Sequence, residues 1–256
     1  MINLIDLKFP KPMVFLGGLL AIVAVLYIID LFKDGYLSKI SSTFIVYLRT
    51  YKWILGIAII FILGEIRFLD LPVSIFCKIH FNQNIYSILD FCNSMGEGWF
   101  LGGVLFTLIL IFDYIKRDNL AKLFRISLAS LICSGLLNTV LKVLFNRQRP
   151  GIAMDPWHFF HFFQTGASDF SQLVYASNSM PSGHTIAVFA TITPLFLYPN
   201  KLSIKFFILF FALIICSARI YTLNHWLSDV TTAMILGVIL GLSAYKANYY
   251  RINTNL

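Results

Sequence analysis

Apolar residues fall in seven blocks along this chain, each near the ~20 residues that a helix needs to cross a bilayer. They run from Met13 to Phe32, Trp53 to about Leu69, Trp99 to Ile115 and Leu123 to Phe145. The last three run from Pro181 to Tyr198, Ile204 to about Thr222 and Trp226 to Tyr245. Polar residues collect between the blocks. The pattern predicts an all-α, polytopic membrane helix bundle. A six-helix core covers residues 53–245, preceded by an N-terminal segment, 1–52, with one further helix and followed by a tail, 246–256.

Two connections are more than turns. Residues 71–98 are apolar but broken by Pro72, Lys78, His80 and several Asn, which suits a short interfacial helix. Residues 151–180 form the longest connection, and long connections in compact proteins usually serve function. Within it, Asp155-Pro156 reads as a helix start, with Asp as N-cap and Pro in the first turn. The aromatic run that follows (Trp157, Phe159, Phe160, Phe162, Phe163) suits a helix at headgroup depth.

Composition strengthens the membrane reading. Apolar residues make up 58% and charged residues 12% of the 256, against ~45–50% and ~25% in soluble domains. So few charges cannot cover the surface of a soluble globule, which excludes a cytosolic enzyme, a disordered chain and a disulfide scaffold. The net charge of +8 is carried in short loops and reads as a topology signal rather than a nucleic-acid surface. Lys33, Lys39, Arg49, Lys52, Lys116, Arg117, Lys122, Arg125, Lys201, Lys205, Lys246 and Arg251 put twelve cations on one side. The other side holds eight: Lys8, Lys11, Arg67, Lys78, Lys142, Arg147, Arg149 and Arg219. The richer side is the cytoplasmic one, so the N-terminus lies outside and the C-terminus inside. Cys77, Cys92, Cys133 and Cys216 lack metal-site or redox spacing. Cys77 and Cys92 share one outer segment, where a disulfide is an open alternative.

Three polar clusters interrupt this apolar background. Lys142 precedes Arg149-Pro150 by seven residues, nearly two helical turns, so both cations can share a face. Snorkelling at a membrane boundary would account for them equally well. Pro181-Ser182-Gly183-His184 opens the fifth of the seven blocks; free N–H groups at a helix start bind anions, and Gly183 admits close approach. An ordinary turn is the alternative. Arg219, His225 and Asp229 straddle the last turn. A carboxylate beside an imidazole fixes its tautomer and stabilises its cation, although a structural cap would use the same pair. The predicted topology brings all three clusters to the outer face. Together they supply three cations for a phosphoryl group and two histidines to divide nucleophile from acid.

In this combination the chain resembles the type 2 phosphatidic acid phosphatase superfamily, which also contains vanadium haloperoxidases. Its three motifs are K-x6-R-P, P-S-G-H and S-R-x5-H-x3-D, and every position matches except the Ser, replaced here by Ala218. The resemblance implies that His225 attacks phosphorus to form a phosphohistidine, with Asp229 orienting it. It implies that His184 protonates the leaving oxygen and then activates water. Lys142, Arg149, Arg219, Ser182 and Gly183 would bind the phosphate. No metal or other cofactor is implied. The expected partner is a membrane lipid phosphate: lipid A, undecaprenyl pyrophosphate, phosphatidic acid or phosphatidylglycerol phosphate, at the outer face of a bacterial inner membrane. A lipid-to-lipid phosphotransferase and a non-catalytic phospholipid-binding protein are the alternatives. Outside the motifs, Arg147 and Gln148 are expected near the leaving group, Glu65 and Arg67 as an ion pair, and His158 and His161 as interfacial packing. Asp169 is read as a solvated residue and His80 as one with no identifiable partner.

Overall fold

The computed structural model describes residues 29, 35–160, 178–198 and 201–253. The expected helix at 13–32 lies outside the described residues apart from Ile29, and so do His161, Phe162, Phe163 and Asp169. Among the described residues there are nine helices: α1 (Tyr36–Thr50), α2 (Lys52–Phe68), α3 (Asp70–Ile79), α4 (Gln83–Met95), α5 (Gly98–Tyr114), α6 (Asp118–Phe145), α7 (Gly183–Leu197), α8 (Leu202–Tyr221) and α9 (Leu227–Asn253). They include no strand, only an isolated bridge between Gln148 and Asn178.

Among the described residues, three helices are long and apolar enough to cross a membrane alone, α6, α8 and the Leu227–Asn248 stretch of α9. The α1–α2 and α4–α5 pairs reach that length only together, with bends of 80° and 52°. The outward faces are apolar, as lipid requires: Ile57, Ile60 and Phe61 of α2 and Phe206, Phe207 and Phe210 of α8 are exposed.

Small side chains let the helices inside the bundle approach closely. Ala129, Ala190, Ala212, Ala233 and Ala244 are fully buried, and α9 packs against α7, α1 and α6. At the α7–α9 crossing stands Gly237-x-x-x-Gly241, a spacing that lets two membrane helices approach closely. A Cβ at Gly241 would lie 2.5 Å from Cβ of Thr193, and one at Gly237 would lie 2.7 Å from Cβ of Phe189.

The structure departs from the pattern expected of the sequence in three places. Residues 36–50 are a helix rather than a loop. Tyr36, Leu37 and Ile40 share its buried face, an amphipathic pattern too short to register as a span. Segment 71–98 holds two helices, not one; Asn82 separates them and caps α4 by accepting from the N–H groups of Asn84 and Ile85. The aromatic run does not begin a helix. Asp155 accepts from the Trp157 N–H, but the chain then leaves helical geometry, with Phe160 at φ 56. All four cysteines are free, which removes the Cys77–Cys92 disulfide.

Candidate active site

Where α6 ends, the sequence supplies a residue that tolerates a left-handed turn. Asn146 takes φ 40, and its N–H caps the Lys142 carbonyl. Its side-chain amide donates to Oδ1 of Asn178 at 2.8 Å. This turn aims Lys142, itself buried, across the bundle, where Nζ donates to the Asn178 carbonyl at 2.7 Å. A second left-handed residue, Leu223 at φ 55, closes the turn between α8 and α9. The Gly151 N–H donates to the Leu223 carbonyl at 3.0 Å. That approach needs a glycine, since a Cβ there would lie 3.1 Å from the same oxygen. Arg149 is thereby brought to the last turn, donating to Oδ1 of Asn224 at 3.1 Å.

The second cluster enters through the Met180–Pro181 cis peptide. The helix begins at Gly183 with Ser182 as its N-cap residue, so Pro181 precedes the helix instead of opening it. The Ser182 N–H donates to the Asp229 carbonyl at 3.2 Å, which joins the second cluster to the third. Ser182 is fully buried and its hydroxyl accepts from Thr185 at 3.0 Å. Gly183 and His184 are partly exposed.

His225 is buried between these segments. Its Nδ1 lies 2.6 Å from the Ser179 carbonyl. Oδ2 of Asp229 stands farther off, at 3.8 Å, beyond hydrogen-bond distance. This corrects the expected orienting bond. Asp229 is instead committed to Arg147 through Oδ1 at 2.6 Å and to the Trp226 N–H through Oδ2 at 2.9 Å. A backbone carbonyl can only accept, so Nδ1 carries the proton and the lone pair is left on Nε2. Burial first, then Arg219, Lys142, Arg149 and His184, hold the imidazole well below the usual histidine range. Burial also lowers Arg149 from its ordinary value, partly offset by Asp229.

All three clusters therefore meet at one end of the bundle, and each predicted site residue lies within it. Arg219 is buried on the last turn of α8, and its Nε has no hydrogen-bond partner among the described residues. Ala218, which replaces the family serine, is fully buried, and Ser217 turns away to the Leu213 carbonyl.

Four peripheral expectations change. Arg147 faces away from any leaving group, locked between Asp70 and Asp229. The Gln148 carbonyl accepts from the Trp226 indole at 2.8 Å. Glu65 accepts from Thr231 at 2.9 Å, while Arg67 lies over the ring of Phe68. His80 has a partner, with Nδ1 2.9 Å from the Phe76 carbonyl.

Several contributors escaped the sequence reading. Asn178 and Ser179 act through backbone carbonyls, which leave no mark in a residue pattern. Asp70 opens α3 with no motif around it. Asn138 did carry a signal, being polar and one turn before Lys142 in an apolar helix. Its amide nitrogen would lie 3.2 Å from a Cβ on Gly183.

Beside Gly183 a cavity of about 470 Å³ opens between α5, α6 and α7. Gly103, Phe106, Leu131, Ile132 and Ala187 line it, with Asn138 and Gly183 at the end nearest the site.

The profile of the family described as PAP2 superfamily matches residues 123–253, which include all three clusters. No curated protein matches the chain. Two solved structures are similar. The first transmembrane PAP2 type phosphatidylglycerolphosphate phosphatase from Bacillus subtilis has a TM-score of 0.58 and 18% sequence identity. The match covers 77% of this chain and 94% of that one, and the two share a fold. Aquifex aeolicus LpxE is 23% identical over 70% of this chain and 95% of its own, with a TM-score of 0.48.

Proposed function

Because the chain belongs to the PAP2 superfamily, we propose that it is a membrane lipid phosphatase, cleaving a phosphomonoester or pyrophosphate through a phosphohistidine on His225. The observation that carries this reading is the state of His225. Its Nδ1 is engaged by the Ser179 carbonyl, and the charges of Arg219, Lys142 and Arg149 disfavour protonation of its ring. That arrangement presents an unprotonated nitrogen to an anion.

Two displacements complete the reaction. Lys142, Arg149 and Arg219 hold the phosphoryl oxygens, with the N–H groups at the start of α7 beside them. The Nε2 lone pair attacks phosphorus as the bond to the leaving oxygen breaks, and that oxygen takes the proton that His184 holds once the bound phosphate offsets the charges of Arg219, Lys142 and Arg149. Water then attacks the phosphohistidine and gives a proton back to His184. The phosphorus–nitrogen bond breaks, releasing inorganic phosphate and restoring His225. Asp229, at 3.8 Å, moderates the positive charge that His225 gains.

The apolar cavity beside Gly183 supports a substrate whose tail stays within the bundle. The excess of Lys and Arg in the opposite loops supports a site on the outer face of a bacterial inner membrane.

The test is phosphate release by the purified protein from a panel of lipid phosphates in detergent with EDTA. Turnover should survive EDTA and vanish in His225→Ala and His184→Ala. Full activity in His225→Ala would refute the assignment. Transfer of label to an acceptor lipid without free phosphate would make the protein a phosphotransferase.

A further inference from the structure

We propose that Arg147, anchored by Asp70, is a positioning residue that governs the charge state of His225 through Asp229. The inference rests on the reading of His225 as the nucleophile.

Arg147 lies inside the first motif, between Lys142 and Arg149, yet it is fully buried and turned from the site. Its Nε and one terminal nitrogen donate to the Pro156 carbonyl at 3.0 and 2.7 Å. That same nitrogen meets Oδ2 of Asp70 at 2.6 Å. The other terminal nitrogen meets Oδ1 of Asp229 at 2.6 Å and the Ser228 hydroxyl at 2.7 Å. The rings of Phe159 and Trp226 lie 4.9 and 5.2 Å from its guanidinium carbon. Asp70 is equally committed, accepting from the Ser228 N–H at 2.9 Å and from its hydroxyl at 2.6 Å.

The consequence lies in Asp229. A bare carboxylate 3.8 Å from Nδ1 favours the imidazolium, which has no lone pair for attack. Arg147 offsets that carboxylate at direct contact. Arg147 on Oδ1 and the Trp226 N–H on Oδ2 hold the carboxylate 3.8 Å from Nδ1, so the Ser179 carbonyl keeps the Nδ1 proton. Asp70 gives Arg147 a second anion, so the cluster contributes one net negative charge and no surplus cation to the site.

A mere staple joining α3, the 146–160 loop and α9 would use the same bonds. Charge separates the two ideas. Asp70→Asn with Arg147→Gln leaves one carboxylate, hence the net charge of the native cluster, but strips Asp229 of its cation. The other charged groups facing His225 stay in place: Lys142 on α6, Arg149 on the loop, His184 on α7 and Arg219 on α8.

The experiment is a pH titration of the ¹⁵N-histidine-labelled full chain in detergent by NMR, with the His225 signal assigned by its loss in His225→Gln. In the double variant the His225 midpoint should rise by about one pH unit. Asp70→Asn alone should lower it or leave it in place. Arg147→Lys keeps the cation and should keep the native midpoint, and it carries the test if the double variant does not fold. An unchanged or lower midpoint in the double variant overturns the proposal, and so does a rise in Arg147→Lys. The titration does not depend on turnover. Absence of phosphate release by the native chain would therefore refute the proposed function and leave this readout intact.

Discussion

Adding one methyl group at Gly241 should push α7 off α9. In Gly241→Ala the new Cβ would stand 2.5 Å from Cβ of Thr193, 3.1 Å from the Ala190 carbonyl and 3.1 Å from Cδ of Pro194. Ordinary contact begins at 3.4 Å, so the shortfall is about 0.9 Å. Neither a backbone carbonyl nor a proline ring can swing aside, so the helices must separate. Overpacking of this kind costs about 1–3 kcal/mol, against a gain of about 1 kcal/mol from the better helix propensity of Ala. At about 2–4 °C per kcal/mol for a chain of this size, the unfolding temperature should fall by a few degrees. Gly237→Ala should act in the same direction. The pair should cost less than the sum, because separation relieves both contacts. Gly56 and Gly64 of α2 are the controls, with nothing within 4 Å of a new Cβ; Ala there should leave stability equal or higher. The assay is thermal unfolding in detergent, with phosphate release measured well below the transition. Release should fall as well, since α7 carries Gly183 and His184 into the site. A Gly241→Ala protein that unfolds at or above the native temperature would refute the packing argument.

The depressed His225 imidazole makes stability depend on pH. The unfolded histidine takes a proton below about pH 6.5, and the buried native one does not. Stability should be fully present above that pH and decline below it, and thermal unfolding across this range should show a slope that His225→Gln flattens. Gly183→Ala should fold normally, because only the Asn138 side chain must yield at 3.2 Å. Its phosphate release should nonetheless drop by on the order of tenfold, since the methyl group displaces substrate from the start of α7. With every cysteine free, dithiothreitol should leave the unfolding temperature unchanged; a drop would reveal a disulfide.

The bilayer made most of the architecture legible from sequence. Lipid demands long uninterrupted apolar helices, so the blocks at Trp99, Leu123, Ile204 and Trp226 marked α5, α6, α8 and α9, although α6 begins earlier, at Asp118, and α9 runs on to Asn253 through the expected tail. Short helices gave no such signal: α1 and α3 draw their stability from packing against α9 and its neighbours rather than from length.

The site divides along the same line. Lys142, Arg149, Gly183, His184, Arg219, His225 and Asp229 were legible because phosphate chemistry needs those side chains, and a helix fixes their spacing. What each one touches was decided only in three dimensions. The sequence placed Asp229 four residues from His225, and proximity along a helix suggested a bond. The folded chain supplied a closer partner to each group, the Ser179 carbonyl as acceptor for the imidazole and Arg147 as donor for the carboxylate. Both acceptor and donor come from segments distant in sequence, and one of them is a carbonyl that every residue type carries. Spacing can specify which groups share a face; only the packed structure determines which of them are close enough to exchange a proton.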